Sequence, residues 1–392
     1  MEIDWNEWLN LAIRWLHLTA GIAWIGSSFH FIGLDLRLKK PLKGDASGED
    51  WAVHGGGFYH SQKYMVAPAE MPEQLHWSKW EAYTTWLSGF SLLVLVYYIG
   101  AQSFLIDPAK AALTPLQGIG IGLASLAAGW VIYDLLCRST LGQSNQVLGI
   151  VWFMVLLFAA YALDSVFTDR GAYLHIGAII GSVMVGNVFF IIIPNQKIVV
   201  ADLIAGRTPD PKLGAQAKQR SLHNNYMTLP VLFIMISHHY PMTYGAERPW
   251  LVLALLGLTG VAIRHIFNLR HRELPTGRAI ALSVMLAAIS VTYVTLEKGR
   301  GTASGAHVTY AQIQPLLEKH CTSCHSAKPT HAEFTTPPLG LILDDYAHAS
   351  AAAPKIKAMA VDSEVMPLGN ISGMTREERE KLGAWIASGT PQ

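Results

Sequence analysis

The sequence predicts an all-α protein: a polytopic membrane bundle of about eight helices, followed by a small soluble helical domain. Three observations carry this. The 392-residue chain is 51% apolar and only 15% charged, where a soluble protein has about 25% charged residues. The deficit is uneven, because residues 1–300 are dense in Leu, Ile, Val, Phe and Trp while residues 300–392 read as an ordinary soluble domain. Finally, the Lys and Arg residues between the apolar stretches alternate in number along the chain.

A bilayer core takes about 20 apolar helical residues to cross. Eight stretches qualify, at about 9–34, 82–101, 115–137, 147–167, 172–193, 224–241, 249–268 and 278–297. The sixth is short and holds Pro230, so a kink, a break or a re-entrant segment is expected there. The loops after the first, third, fifth and seventh stretches carry fifteen Lys and Arg, those after the second, fourth and sixth only Lys110, Arg170 and Arg248. Positive loops stay in the cytoplasm. Eight spans therefore place the N-terminus and residues 300–392 outside. The first residues, MEIDWNEW, are acidic and do not form the basic start of a cleavable signal peptide.

The resulting division is a membrane domain over 1–297, a Gly- and Ser-containing linker over 298–307 and a soluble domain over 308–392. The small-residue runs GIGIG (118–122) and GAIIG (177–181) fit close helix packing. A net charge of +1, without a basic face, excludes a nucleic-acid partner; the membrane lipid is the expected surroundings. Of the three cysteines, Cys137 reads as a small buried hydrophobe, and no disulfide framework is available.

The other two belong to Cys321-Thr322-Ser323-Cys324-His325. Two thiols at this spacing each add to a vinyl group of one haem, and the adjacent His reaches the iron. A zinc site would need four ligands, and there is no second Cys pair. Residues 309–320 read as a helix entering the motif. Residues 375–388 read as a closing amphipathic helix, with Thr375 as N-cap and Leu382, Trp385 and Ile386 on its apolar face. This pattern resembles the class I cytochrome c domain, in which a loop brings a Met to the iron. Met359, Met366 and Met374 are the candidates, and Met366, in SEVMPLGN, best matches that loop. A Met ligand raises the reduction potential relative to a second His. Haem c is attached on the outer side of the bacterial membrane, where the loop charges place this domain.

Residues 1–300 hold eleven of the sixteen His. Polar groups at membrane depth are costly and mark function. His17 and His30 lie 13 residues apart, three turns plus about 220° of helix, so they face different ways. A non-covalent haem b held by His17 with His175 or His239 is a possible use of the outer half. In the inner half, His223, Asn224, Asn225 and Tyr226 open the sixth stretch, and Arg264, His265 and Asn268 close the seventh. Arg264 and Asn268 are i, i+4 and share a face. This set suits a planar, anionic, nitrogen-rich substrate. It also suits an Arg snorkelling to the interface beside capping Asn residues.

The segments WLHLTAGIAWIGSSFHFIGLD in the first stretch, HGGGFYHSQKY at 54–64 and HNNYMTLPVLFIMISHHYP at 223–241 resemble the bacterial membrane-bound urate oxidases of the PuuD type. So does the order of a bundle followed by a cytochrome c domain, and the likeness covers essentially the whole chain. The first stretch also faintly resembles the CopD and HemJ membrane families. The urate oxidase resemblance implies oxidation of urate to 5-hydroxyisourate in the bacterial inner membrane, with a periplasmic cytochrome domain. Electrons would pass through haem c to a soluble cytochrome c or a terminal oxidase. On that reading Arg264 pairs with the urate charge, Asn224 and Asn268 bind its edges, and His223 or His265 accepts a proton. His325 and Met366 would hold the haem iron. Two other functions fit the pattern: a quinol-oxidising cytochrome subunit, and a CopD-like transporter with a cytochrome domain.

Overall fold

The computed structural model describes residues 5–65, 68, 72, 74–300 and 308–392. Most of the linker and the first four residues, with the N-terminal reading above, fall outside the described residues.

All eight apolar stretches lie on helices. They are α1 (Trp5–Arg37), α2 (Trp80–Leu93, continued by a π turn at Val94–Tyr98), then, after a short α3 (Ala101–Phe104), α4 (Pro115–Arg138) and α5 (Asn145–Asp164). There follow α6 (Asp169–Gly186), a π turn at Asn187–Ile192, α7 (Ile193–Ile204), α8 (Pro211–Ser237), a short α9 (Pro241–Tyr244), α10 (Pro249–His271) and α11 (Gly277–Arg300). Start signals are local. Thr114 forms a capping box with Gln117 ahead of Pro115, Thr168 accepts from Gly171 N, and Asp210 caps the turn begun by Pro211; each satisfies a donor that a helix start leaves open.

Five segments are long and apolar enough to cross a membrane: α4, α5, α6 with α7, α10 and α11. The protein is a multi-pass membrane protein by that measure. α1, α2 and α8 carry the polar side chains of the clusters described below, and α2 is short before its π turn. The α6 segment is the central one: 72% of its apolar window is buried, against 17–28% in the other four. Apolar side chains on the outer faces of those four, such as Phe158 and Val284, are exposed, as lipid-facing side chains must be.

Two expectations are corrected. The protein is mostly helical rather than all-α, because Gly48–His54 (β1) and Gly57–Lys63 (β2) pair as an antiparallel hairpin. Gly55 and Gly56 both have positive φ, the backbone a two-residue type I′ turn demands. This hairpin contains HGGGFYH. It is tied to the C-terminal end of α1 by Arg37–Asp50 (3.2 Å) and Lys63–Asp35 (2.7 Å), and Lys39, bridged to Glu49 of β1, pairs with Glu273 just past α10 (2.7 Å). Nor does α8 break: Pro230 lies inside one continuous helix, and Gly260 of α10 packs against its backbone, where a Cβ would come within 3.2 Å of Leu229 and Pro230.

Beyond the linker, α12 (Tyr310–His320), α13 (Tyr346–Ala351), α14 (Ala353–Ile356) and α15 (Arg376–Ala387) surround a separate core. Its centre is Ile313, Leu317, Leu382 and Trp385, all essentially inaccessible. α12 packs against α15. Both start at a capping box, Thr309 with Gln312 and Thr375 with Glu378.

Candidate functional site

In α8, successive residues turn by about 100°, so His223, Asn224 and Asn225 face three different neighbours. Asn225 faces α1 and α10. Its Oδ1 accepts from Arg264 Nε at 2.9 Å and from Asn268 Nδ2 at 3.2 Å, and its Nδ2 lies 3.4 Å from Ser28 Oγ. The Arg264 guanidinium lies on the Phe29 ring, 3.9 Å from its centroid. Arg264, Asn225 and Asn268 are buried. Two polar atoms there have no hydrogen-bond partner: Arg264 Nη2, a donor, and Asn268 Oδ1, an acceptor.

Asn224 faces the π turn after α6. It accepts from Asn187 Nδ2 (2.8 Å) and donates to Met184 O (2.9 Å). Arg220, one turn earlier, donates to Asn187 Oδ1 (3.0 Å) and pairs with Asp134 (2.7 Å). His223 turns to α4, its Nδ1 3.0 Å from Tyr133 Oη. His265 lies on the outside of α10, exposed, 2.8 Å from Tyr226 Oη.

The structure therefore joins Arg264 and Asn268 and separates them from Asn224, His223 and His265. The residue that joins them, Asn225, has no assigned role in the sequence-based site. Its signal is helical phase, since it alone of residues 223–225 lies on the face toward α10. The end of the bundle that carries the hairpin also holds a cavity of about 480 Å3 lined by Arg37, Lys39, Asp50, Phe267, Arg270, His271 and Glu273. Phe267 and His271 flank Asn268 on α10. His271 Nδ1 is 3.3 Å from Arg37 Nη1; since the guanidinium can only donate, this nitrogen accepts and the ring proton is on Nε2.

Of the haem b candidates, His17 on α1 holds its Nδ1 2.9 Å from Thr85 O. His175 is fully buried, with Nδ1 on Gly171 O (2.8 Å) and Nε2 toward Tyr98 Oη (3.3 Å) and Gly122 of α4. His239 is exposed and its ring lies 3.9 Å from that of His238.

In the C-terminal region, Cys321 and Cys324 end α12 in a tight turn, with Cys324 N and His325 N both on Cys321 O (3.1 and 2.8 Å). His325 holds its Nδ1 3.2 Å from Leu341 O. That bond puts the proton on Nδ1 and leaves Nε2 free to ligate a metal. Burial, with Cys324 adjacent, pushes the Cys321 thiol up to about 12. A dithiol redox site works through a thiolate of lowered pKa, so this environment is wrong for one. No group of three or more His, Cys, Asp or Glu that could hold a metal ion occurs among the described residues, which leaves the Cys pair without zinc co-ligands. Met374 is buried in the core, and Met366 and Cys321 both pack at its edge. Arg379 fixes the Met366 loop from beneath, donating to Met366 O and Ala360 O, each at 2.6 Å.

The same loop touches the bundle. Gly369 packs against the Ser103 and Ile106 carbonyls of the α3 turn, and Gly245 packs against Ser363. A Cβ on either would fall within 3.0 Å of a backbone oxygen.

A multi-pass helical bundle with a buried, incompletely partnered Arg–Asn–Asn cluster is a membrane protein with open hydrogen-bonding groups in its interior. Residues 4–295 match the description of the urate oxidase N-terminal family. The chain belongs to that family, and it is a urate oxidase-family enzyme with urate the implied substrate. Neither a curated protein nor a solved structure matches the chain.

Proposed function

We propose that the bundle oxidises urate to 5-hydroxyisourate at the Arg264–Asn225–Asn268 cluster, and that electrons leave through a haem c in residues 308–392. The observation carrying this is the pair of orphaned atoms, Arg264 Nη2 and Asn268 Oδ1. Buried polar groups are otherwise satisfied, so an unpaired donor beside an unpaired acceptor marks where a ligand supplies the complement. Urate is a planar monoanion at neutral pH. Its charged edge would pair with Arg264 and an adjacent N–H would donate to Asn268 Oδ1, while Phe29 holds the guanidinium in place from behind.

The reaction takes urate and water to 5-hydroxyisourate, two protons and two electrons. Neither His223 nor His265 touches the cluster, and the accepting nitrogen of His271 is taken up by Arg37, so on this reading the protons pass to water. In the cavity beside Phe267 and His271, Arg37 and Lys39 are paired with Asp50 and Glu273, so Arg270 gives that cavity its one net positive charge to attract an anion from the cytoplasmic side.

The C-terminal chemistry fits one haem c: Cys321 and Cys324 to attach it, His325 Nε2 and Met366 to ligate the iron. When bound, that group supplies a one-electron acceptor. The chain's own contribution is to orient His325 through Leu341 and to clamp Met366 through Arg379. On this reading the domain is a class I cytochrome c on the periplasmic side, and a soluble cytochrome c or a terminal oxidase takes its electrons.

The test is a urate titration of the purified full-length protein, followed at the absorbance of the covalent haem. Reduction by urate at micromolar to millimolar concentration is expected. Reduction by a quinol and not by urate would replace this function with quinol oxidation. Vesicle uptake that persists in C321S/C324S would favour a transporter.

A further inference from the structure

The loop from Ser363 to Asn370 lies between two cores. Val365 packs against the core of the bundle, and the next residue, Met366, packs against that of residues 308–392. Ser363 meets Gly245, just past α9, where a Cβ would come 2.1 Å from Ser363 O. Gly369 lies over the turn that ends α3, where a Cβ would come 3.0 Å from Ser103 O and 3.1 Å from Ile106 O. The loop thus meets the bundle at Ser363, Val365 and Gly369 and turns Met366 the other way. On that other side Arg379 donates to Met366 O, and Met366 N donates to Met359 O at 2.8 Å.

Both bundle segments are anchored to α6, the most buried of the five membrane-length segments. Thr168, its N-cap, donates Oγ–H to Phe104 O (2.8 Å) and N–H to Leu105 O (2.9 Å). Tyr173 Oη lies 3.0 Å from Thr243 O and 2.8 Å from Pro249 O, on either side of Gly245 in the chain. Leu105, Ile106, Phe167 and Tyr244 are essentially inaccessible, so the platform is part of the packed core. The loop's own backbone needs such a support. Glu364, Gly369 and Asn370 all have positive φ, which for Glu364 is a strained conformation that persists only where the surroundings dictate it. The Glu364 side chain is mostly exposed, so its neighbours hold the turn. The Ser363 hydroxyl donates to Ala358 O (2.6 Å), while the Ser363 backbone and Val365 rest on the bundle.

We propose that the bundle completes the Met366 loop: Gly245 and the Ser103–Ile106 turn hold Ser363 to Asn370 from one side while Arg379 holds it from the other, so that Met366 is set as an axial ligand only in the docked chain. Gly245 and Gly369 are positioning residues in this arrangement. Electrons leaving the bundle then enter residues 308–392 at a face that the bundle itself keeps in shape. The ligand role rests on the haem c reading above; the contact does not.

Gly245→Val tests this from the bundle side. Gly245 has an ordinary φ of −93°, and the atoms its Cβ would meet first all belong to Ser363. The substitution therefore pushes on the loop and leaves residues 308–392 unaltered. Val365→Ser removes the apolar contact from the loop side and serves if Gly245→Val does not fold. In the purified full-length protein, hydrogen exchange over residues 360–374 should speed up about tenfold or more in either variant; this readout needs neither haem nor urate. Covalent haem content should stay at the wild-type level, which also reports folding. Its midpoint potential should fall and its Met-to-iron absorbance band weaken, because a Met ligand raises the potential. Urate-driven reduction should slow about tenfold or more at an unchanged KM. Exchange and potential at wild-type values in both variants overturn the proposal. Faster exchange with an unchanged potential overturns it too, since the contact would then tether the region without setting Met366. A wild-type protein whose covalent haem urate cannot reduce would sink the proposed substrate, and the exchange and potential shifts would leave this role of the bundle standing.

Discussion

The C-terminal region and the helix bundle treat buried polar groups differently. In residues 308–392, Arg379 is buried and its guanidinium donates to Met366 O, Ala360 O and Asn370 Oδ1. His320 is less complete: its Nδ1 has Ser372 Oγ at 2.7 Å, but its buried Nε2, 3.2 Å from Glu378, makes no hydrogen bond. In the bundle, Arg264, Asn268, Tyr97 and Arg170 each keep a buried atom unpartnered. Each such atom costs about 1–3 kcal/mol. The C-terminal region uses its buried Arg to hold a loop in place, whereas the bundle holds Arg264 open for something else to complete. Arg220 lies in the same bundle but belongs with the first kind, since Asp134 and Asn187 complete it.

The strongest way to break that contrast is Arg220→Ala. It leaves Asp134, whose side chain is only 18% exposed, with the exposed Arg138 (2.6 Å) as its remaining partner and takes a donor from Asn187 Oδ1; loss of hydrogen bonds to a buried charged group costs about 1.5–3 kcal/mol. Loss of monodisperse, detergent-extracted protein or a sharply lower Tm is expected. An Arg220→Ala protein that melts normally but no longer responds to urate would move Arg220 from the scaffold to the ligand site.

Arg264→Ala should do the reverse. The folded yield and covalent haem should stay near wild type, since the guanidinium lacks a carboxylate partner. Urate-driven haem reduction should fall about 100-fold, the loss of about 2.7 kcal/mol of charge-assisted binding. Arg264→Lys should recover little, because an ammonium cannot present Nε to Asn225 and Nη2 to a ligand at once. Unchanged turnover in Arg264→Ala would remove the cluster from the active site.

How much of this was legible in the sequence follows the same division. The C-terminal helices are announced by residues adjacent in the chain: Thr375 with Glu378, Thr309 with Gln312, Cys321 with Cys324 and His325. The eight helices are legible from apolar length, and Gly55-Gly56 was a readable hairpin turn passed over under the weight of the surrounding helices. Arg264 with Asn268 follows from the helical period. Asn225 does not, because whether position 223, 224 or 225 meets α10 depends on the rotation of α8 about its own axis. Tertiary packing sets that rotation. For the same reason His223 and His265, close to the cluster in sequence, end on other faces.

A third substitution sharpens the C-terminal side. Arg379→Gln removes the charged donor from Met366 O and Ala360 O. Hydrogen bonds to charged groups contribute about 1.5–3 kcal/mol, so the loop should loosen by roughly that amount. On the proposed haem c reading, Met ligation weakens and the midpoint potential of the covalent haem falls. The urate dependence of the initial rate should not change, since Arg379 is remote from the Arg264 cluster. A raised KM for urate would show that the two regions are not separable.

The smallest expected effect is electrostatic and lies at the start of α15. The backbone N–H of Thr375 chiefly, with Lys319 and His320, holds the Glu378 carboxyl down to about 2. An unfolded Glu titrates near 4.3. A lowered folded value means that the ionised carboxylate stabilises the fold fully above the unfolded value. That contribution is lost as the pH falls toward 2. Glu378 is partly exposed, so water screens it and about 1 kcal/mol is expected. Glu378→Gln keeps a side chain that can still accept from Thr375 N but removes the charge. Acid titrations of the two proteins, followed at the Soret band of the covalent haem, should differ above about pH 4 and converge toward pH 2. Curves that stay parallel over that range would assign the capping energy of α15 to hydrogen-bond geometry alone.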